Sequence, residues 1–202
     1  MLEQKREKEM KDLIAGVLKQ NQRTVGDFVT ENSSNLIRCA EFVCNAFRNS
    51  GKLMLCGNGG SAADAQHIAA EFVNRFQVER SPLPALALTT DTSIITSVAN
   101  DNSFDDIFSR QIEALGVRED VLLAISTSGR SRNILRALDT AKDKGIYTVG
   151  LMGGGGGEML RLVDLALVVG SDQTPRIQEA HILAGHIICE LVEHMFFQAE
   201  DT

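Results

Sequence analysis

The hydrophobic pattern changes character near Lys52. Before it, apolar residues recur every three or four positions, the period of a helix with one buried face. Leu13, Ile14, Val17, Leu18 and Val25 mark a first helix over 3–30. Leu36, Ile37, Phe42, Val43 and Phe47 mark a second over 35–49. No strand precedes them, so the pair is expected to lie outside any sheet, where it can serve contacts between subunits. After Lys52, short apolar runs at 52–56, 85–88, 120–125, 146–151 and 164–169 read as strands. Helices are expected at 62–76, 92–99, 104–114, 132–144 and 176–197, with Asp91 able to cap the second of these.

Strands alternating with helices through short connections build a parallel sheet covered on both faces. The expected fold class is α/β, a three-layer sandwich around a central parallel sheet with the N-terminal helices outside it. No repeat or low-complexity linker divides the chain. Residues 1–202 therefore read as one domain, with 1–50 the oligomerisation helices and 51–202 the α/β core and closing helix.

Composition agrees and excludes some functions. Hydrophobic residues at 44% can fill a core, and 23% charged residues argue against disorder. The net charge of −7, with no run of Lys and Arg, disfavours nucleic acid as a partner. An anionic substrate must then be held by local donors such as helix N-termini or single arginines. The N-terminal segment has no apolar core of the kind a signal peptide needs, and no apolar stretch looks long enough to span a bilayer. A soluble, cytoplasmic protein without a membrane partner is expected. Cys39, Cys44, Cys56 and Cys189 include no C-x-x-C pair, and Cys39 and Cys44, five apart, do not share a helix face. Buried thiols are expected, not a disulfide framework.

Two turns follow strands directly and should open on the same edge of the sheet, where ligands of such folds bind. The second is Ser126-Thr127-Ser128-Gly129-Arg130-Ser131. Hydroxyls and free N–H groups at a helix start can hold a phosphate without a metal, and a glycine permits a close turn. One serine alone would be a simple cap; several around a glycine favour an anion site. The first is Gly57-Asn58-Gly59-Gly60-Ser61-Ala62. It is a loose G-x-G-x-x-A, but the next strand ends in Thr89-Thr90, without the expected acidic residue, and no Walker lysine is present. A sugar or phosphate cradle fits better than a nucleotide, so no nucleotide cofactor is expected.

His67 and Glu71 are four apart and share a helix face, either as a stabilising contact or as half of a metal site. Gln178, Glu179, His181 and His186 lie on the closing helix. Gln178 and His186 are separated by ~12 Å along its axis, so they meet at one point only by extended side chains or across subunits. His194 falls near the helix end, where a cation is favoured.

These residues together resemble the sugar isomerase (SIS) domain family. Cys56-Gly57-Asn58-Gly59-Gly60-Ser61 with Asp64-Ala65-Gln66-His67 is similar to its first signature, and Ile125-Ser126-Thr127-Ser128-Gly129-Arg130-Ser131 to its second. Arg176-Ile177-Gln178-Glu179-Ala180-His181, followed by His186, resembles the closing helix of the sedoheptulose-7-phosphate (phosphoheptose) isomerase branch. The resemblance implies a flavodoxin-like SIS fold and a homotetramer with sites between subunits. It implies isomerisation of D-sedoheptulose 7-phosphate to D-glycero-D-manno-heptose 7-phosphate, the first step toward activated heptose for lipopolysaccharide or other surface glycans. Zinc, one per subunit, would be held by His67, Glu71, Gln178 and His186. Substrate positions would be Asn58, Gly59, Gly60, Ser61, Arg75, Asn100, Asp101, Ser126, Thr127, Ser128, Ser131 and Gln178. Glu71 would be the base and His186 the acid or its partner.

A sister branch keeps the fold but binds the bacterial replication initiator DnaA, and residues 85–91 and 74–76 resemble it too. The presence of Glu71, Gln178 and His186 favours the enzyme. Thr174-Pro175 departs from isomerases that carry an acidic residue before the Arg-Ile-Gln, and the five glycines at 153–157 are more than the family leads one to expect.

Overall fold

The computed structural model describes residues 2–198, so the expected domain runs past the described residues at both ends. One helix, α1 (Leu2–Arg48), replaces the two expected at the N-terminus. The polar run 31–34 reads as a break in the sequence but contains neither glycine nor proline. Asn32 Nδ2 donates to the Phe28 carbonyl at 2.9 Å, and Ser33 Oγ donates to the Val29 carbonyl at 2.6 Å. Both side chains satisfy themselves one turn back, so the helix continues through them.

Among the described residues, β1 (Leu53–Gly57), β2 (Ala85–Ala87), β3 (Val121–Ser126), β4 (Tyr147–Met152) and β5 (Leu165–Val168) form one sheet in the order β2-β1-β3-β4-β5. Every pairing is parallel. This is the flavodoxin-like order, and it reverses direction between β1 and β3. The remaining helices are α2 (Gly60–Val73), α3 (Thr92–Asp101), α4 (Ser109–Leu115), α5 (Arg132–Asp143) and α6 (Thr174–Glu193).

Alternate strand residues feed two cores. Leu53, Leu55, Leu123, Ile125, Val149 and Leu151 pack with Phe28, Leu36 and Val43 of α1, Ile68 and Phe72 of α2, and Ile177, Ala184 and Ile188 of α6. Met54, Cys56, Leu122, Ala124 and Met152 pack with Ile112 of α4 and Ile134, Ala137 and Leu138 of α5. The three layers expected from the alternation are therefore present, and α1 joins one of them through its C-terminal half. Its residues 3–20 are all exposed.

Asp91 caps α3 as expected, accepting from the Ile94 N–H at 2.9 Å. The helix expected over 104–114 instead divides into a 3-10 turn, Phe104–Asp106, and α4. The Ser103 side chain accepts from the Asp105 N–H and starts the tighter turn. The closing helix ends at Glu193 and passes into a π-turn, His194–Gln198.

The expectation that no apolar stretch is long enough for a membrane needs correction. Thr174–Phe197 reaches mean hydropathy 1.2 over a length that could cross one. Its apolarity has another physical cause, because Ile177, Ala180, Ala184, Ile188 and Val192 fill the core against α1 and α2.

Candidate active site

The two turns close the C-terminal ends of adjacent strands. Gly57 of β1 is paired in register with Ile125 of β3, one residue before Ser126. The crevice between them is the switch point of the sheet, where α/β folds of this kind bind ligands.

At the second turn, Ser126 Oγ accepts from the Gly129 N–H at 3.1 Å and lies 3.5 Å from Ser128 Oγ and 3.4 Å from Ser131 Oγ. Three hydroxyls thus gather within one turn. Ser131 is the N-cap residue of α5, but its side chain makes no capping bond. The first N–H groups of the helix have no partner within it. Hydroxyls and N–H groups together make a cradle for a phosphate. Thr127 is half-buried within the same turn.

The glycine loop, residues 153–157, buttresses this turn. Gly154 through Gly157 all have positive φ. A Cβ on Gly157 would stand 2.6 Å from the carbonyl oxygens of Ser128 and Gly129, and the Met159 N–H donates to the Gly129 carbonyl at 3.1 Å. The loop backbone lies directly on the turn backbone, which is why glycine is needed there.

At the first turn, Gly59 takes φ +55 and α2 begins at Gly60. Asn58 is half-buried and Ser61 buried. The Asn58 carboxamide forms two hydrogen bonds with that of Asn133, a residue with no counterpart among those expected from the sequence. The Gln178 amide of α6 packs against Gly60.

Helices α2 and α6 run side by side from there. Gly185 makes the approach possible, since a Cβ on it would stand 2.5 Å from Ile68 Cδ1. One residue before Ile68 and one after Gly185, His67 Nε2 and His186 Nε2 are 3.0 Å apart. Glu71 Oε1 lies 3.4 Å from His67 Nε2. The Phe76 ring stacks on His186, with centroids 5.4 Å apart. The backbone carrying Glu71 and Phe76 is fixed from behind. Buried Arg80 donates to the Glu71 carbonyl at 2.8 Å and pairs with buried Glu193, which also accepts the N–H groups of Phe76, Gln77 and Val78. Burial alone would raise the Glu193 carboxyl, but these donors outweigh it and hold it below its ordinary value.

Of the four residues expected to hold zinc, His67, Glu71 and His186 therefore come together, while Gln178 sits at the first turn. Among the described residues no group of three or more His, Cys, Asp and Glu already stands in metal-holding geometry. The donor set nevertheless suits zinc. Two imidazole nitrogens on one tetrahedral ion stand about 3.3 Å apart, close to the spacing seen, and a carboxylate is adjacent.

Arg75 is exposed and its Nε pairs with Glu79 at 2.8 Å. Asn100 Nδ2 donates to Asp101 Oδ1 at 2.8 Å at the exposed end of α3, and neither hydrogen-bonds either turn. Asp64, one turn before His67, has a buried oxygen without a hydrogen-bond partner. Burial raises its carboxyl and His67 partly offsets this. His181 is fully buried and has no partner of good geometry. The thiols are removed from chemistry: burial pushes Cys39 and Cys56 up to about 12 and Cys44 to about 11.

A SIS domain model matches residues 18–153. The phosphoheptose isomerase of Sulfurimonas denitrificans is 54% identical over 171 residues, covering 84% of this chain and 88% of that protein. The chain belongs to the phosphoheptose isomerase branch of the SIS domain family. Solved phosphoheptose isomerases share its architecture. GmhA of Neisseria gonorrhoeae superposes with TM-score 0.87 at 38% identity, over 91% of this chain and 98% of that one. The enzyme of Francisella tularensis gives 0.88 at 36% identity, over 92% and 98%.

Proposed function

We propose that this phosphoheptose isomerase family member interconverts D-sedoheptulose 7-phosphate and D-glycero-D-manno-heptose 7-phosphate. The observation that carries the reading is the cluster of Glu71, His67 and His186 where α2 meets α6, together with a hydroxyl-lined helix start at the end of β3, in a chain about half identical to phosphoheptose isomerases. The turn 126–131 takes the phosphate, and the turn 57–61 takes the sugar next to it.

The chemistry moves one proton between adjacent carbons. Glu71 removes a proton from C1 of the ketose while the C2 carbonyl oxygen gains one, giving an enediol. The C1 hydroxyl then loses its proton, and C2 receives the proton that Glu71 holds. His186 is the acid or the acid's partner. The Phe76 ring covers one face of His186. A zinc ion held by His67, Glu71 and His186 would polarise the substrate carbonyl, with the Gln178 of a neighbouring subunit completing the set, since Gln178 of the same chain packs on Gly60 at the first turn.

The exposed apolar residues Met10, Leu13, Ile14, Val17 and Leu18 of α1 support assembly, and a homotetramer with sites at subunit interfaces is the state proposed. Arg75, Asn100 and Asp101 would then be able to meet substrate across such an interface. A cytoplasmic location and a role in supplying heptose for surface glycans belong to the same proposal. No observation favours the alternative of a non-catalytic binder of the replication initiator DnaA.

The test is turnover of sedoheptulose 7-phosphate by metal-free and zinc-loaded protein. Heptose 7-phosphate should form. Absence of turnover in both forms sinks the isomerase reading.

A further inference from the structure

Asn58 and Asn133 form a closed amide pair across 75 residues of sequence. Asn58 Nδ2 donates to Asn133 Oδ1 at 2.9 Å, and Asn133 Nδ2 donates to Asn58 Oδ1 at 2.8 Å. Asn58 belongs to the first turn, between β1 and α2. Asn133 is in the first turn of α5, two residues after Ser131, and only 2% of it is exposed.

A carboxamide carries two N–H donors and an oxygen with two lone pairs. The pair takes one donor and one lone pair from each partner. Asn133 is buried, so its remaining capacity has little access to solvent. Asn58 is half-buried at the first turn and retains one N–H and one lone pair that the pair does not use. A free carboxamide rotates broadly about its last torsion, with two nearly equivalent orientations. The pair removes that freedom and fixes which atom of Asn58 faces a ligand.

We propose that Asn133 is a positioning residue: it holds the Asn58 carboxamide in one orientation and ties the sugar-side turn to the helix that begins at the phosphate-side turn. A ligand spanning both turns then meets donors whose separation and direction are set before it arrives, which lowers the cost of ordering them on binding. The inference rests on the proposed sugar-phosphate site, and a purely structural amide pair would act on stability alone.

A double-mutant cycle on the full chain separates these. Asn58→Ala, Asn133→Ala and the double variant are assayed with sedoheptulose 7-phosphate for kcat and KM. Calorimetric affinity for the same sugar phosphate and thermal midpoints are measured in parallel. Each single substitution is expected to weaken binding about tenfold. The double variant should be no worse than Asn58→Ala, because Asn133 acts only through Asn58. Asn133→Leu preserves the volume, adds no charge beside the phosphate-side turn, and leaves the Asn58 carboxamide without its partner. It should weaken binding as Asn133→Ala does, while a role in shape alone would be rescued by it. Additive losses in the double variant overturn the proposal. So does an Asn133→Ala protein that loses thermal stability with affinity and KM unchanged. Wild-type protein that binds the sugar phosphate without turning it over sinks the isomerase reading, and the affinity cycle then still decides the role of Asn133. If Asn133→Ala does not fold, Asn133→Leu measured against Asn58→Ala decides it.

Discussion

His67 and His186, one on α2 and one on α6, face each other through their Nε2 atoms at 3.0 Å. A neutral imidazole has one N–H and one acceptor nitrogen, so this contact is a hydrogen bond only when one ring donates and the other accepts. A metal ion would engage both lone pairs at once. The wild-type protein is expected to take up one zinc per chain. His67→Ala and His186→Ala should each weaken that uptake on the order of 100-fold. Competition with a chromophoric chelator reads this directly, without reference to turnover. Equal affinity in wild type and both variants would show that the pair does not hold the metal.

Glu71→Gln tests the base with little change of shape. Turnover is expected to fall on the order of 10²- to 10⁴-fold, the range for loss of a general base. Affinity for the sugar phosphate should change by no more than a few fold, since the hydroxyls of 126–131 are untouched. Undiminished turnover would remove Glu71 from that role.

The glycine loop makes a prediction about substrate affinity. Gly157→Ala drives a methyl into the Ser128 and Gly129 carbonyls at 2.6 Å and strains a φ of +55. The turn that holds the phosphate must move, so KM should rise about tenfold while kcat changes less. Gly155→Asn is the control. Its φ is +76, which asparagine tolerates better than most residues, and its Cβ position is open. That variant should keep wild-type KM.

His181 makes a prediction about acid stability. Burial lowers it to about 4 from 6.5, with the nearby Met152 carbonyl pulling partly the other way. Below pH 6.5 the unfolded chain takes up a proton there that the folded chain refuses until about pH 4. Stability is therefore lost as pH falls through this window, by up to about 3 kcal/mol. Denaturant unfolding of wild type and His181→Leu across pH 4–7 should show a shallower pH dependence in the variant. Parallel curves would contradict it.

Much of this architecture was legible because it is written in local signals. Apolar runs marked each strand, Asp91 marked a cap, and the two Ser/Gly turns followed strands whose ends the sheet then brought together. The continuity of α1 was hidden because residues 31–34 look polar enough for a linker, and only the back-bonding of Asn32 and Ser33 shows otherwise. His67 and Glu71 were paired by spacing on one helix. Their meeting with His186 required the α2–α6 crossing at Gly185, which periodicity cannot foretell. Asn133 carried no signal, since its partner is 75 residues away. Arg75 has the residue type for an anion site, yet within the single chain its guanidinium is engaged by Glu79.

The first part of α1 has a thermodynamic consequence. Residues 3–20 form a rod about 27 Å long at 1.5 Å per residue, solvated on every side. Most helical stability in proteins comes from packing of an apolar face, and no residue in this part of α1 is buried within the chain. In the proposed assembly a second copy of the chain would cover Leu13, Ile14, Val17 and Leu18, and the free energy it adds to this segment would follow mass action. The order of the segment would then depend on concentration: dilution would fray it first and leave the sheet and both turns intact.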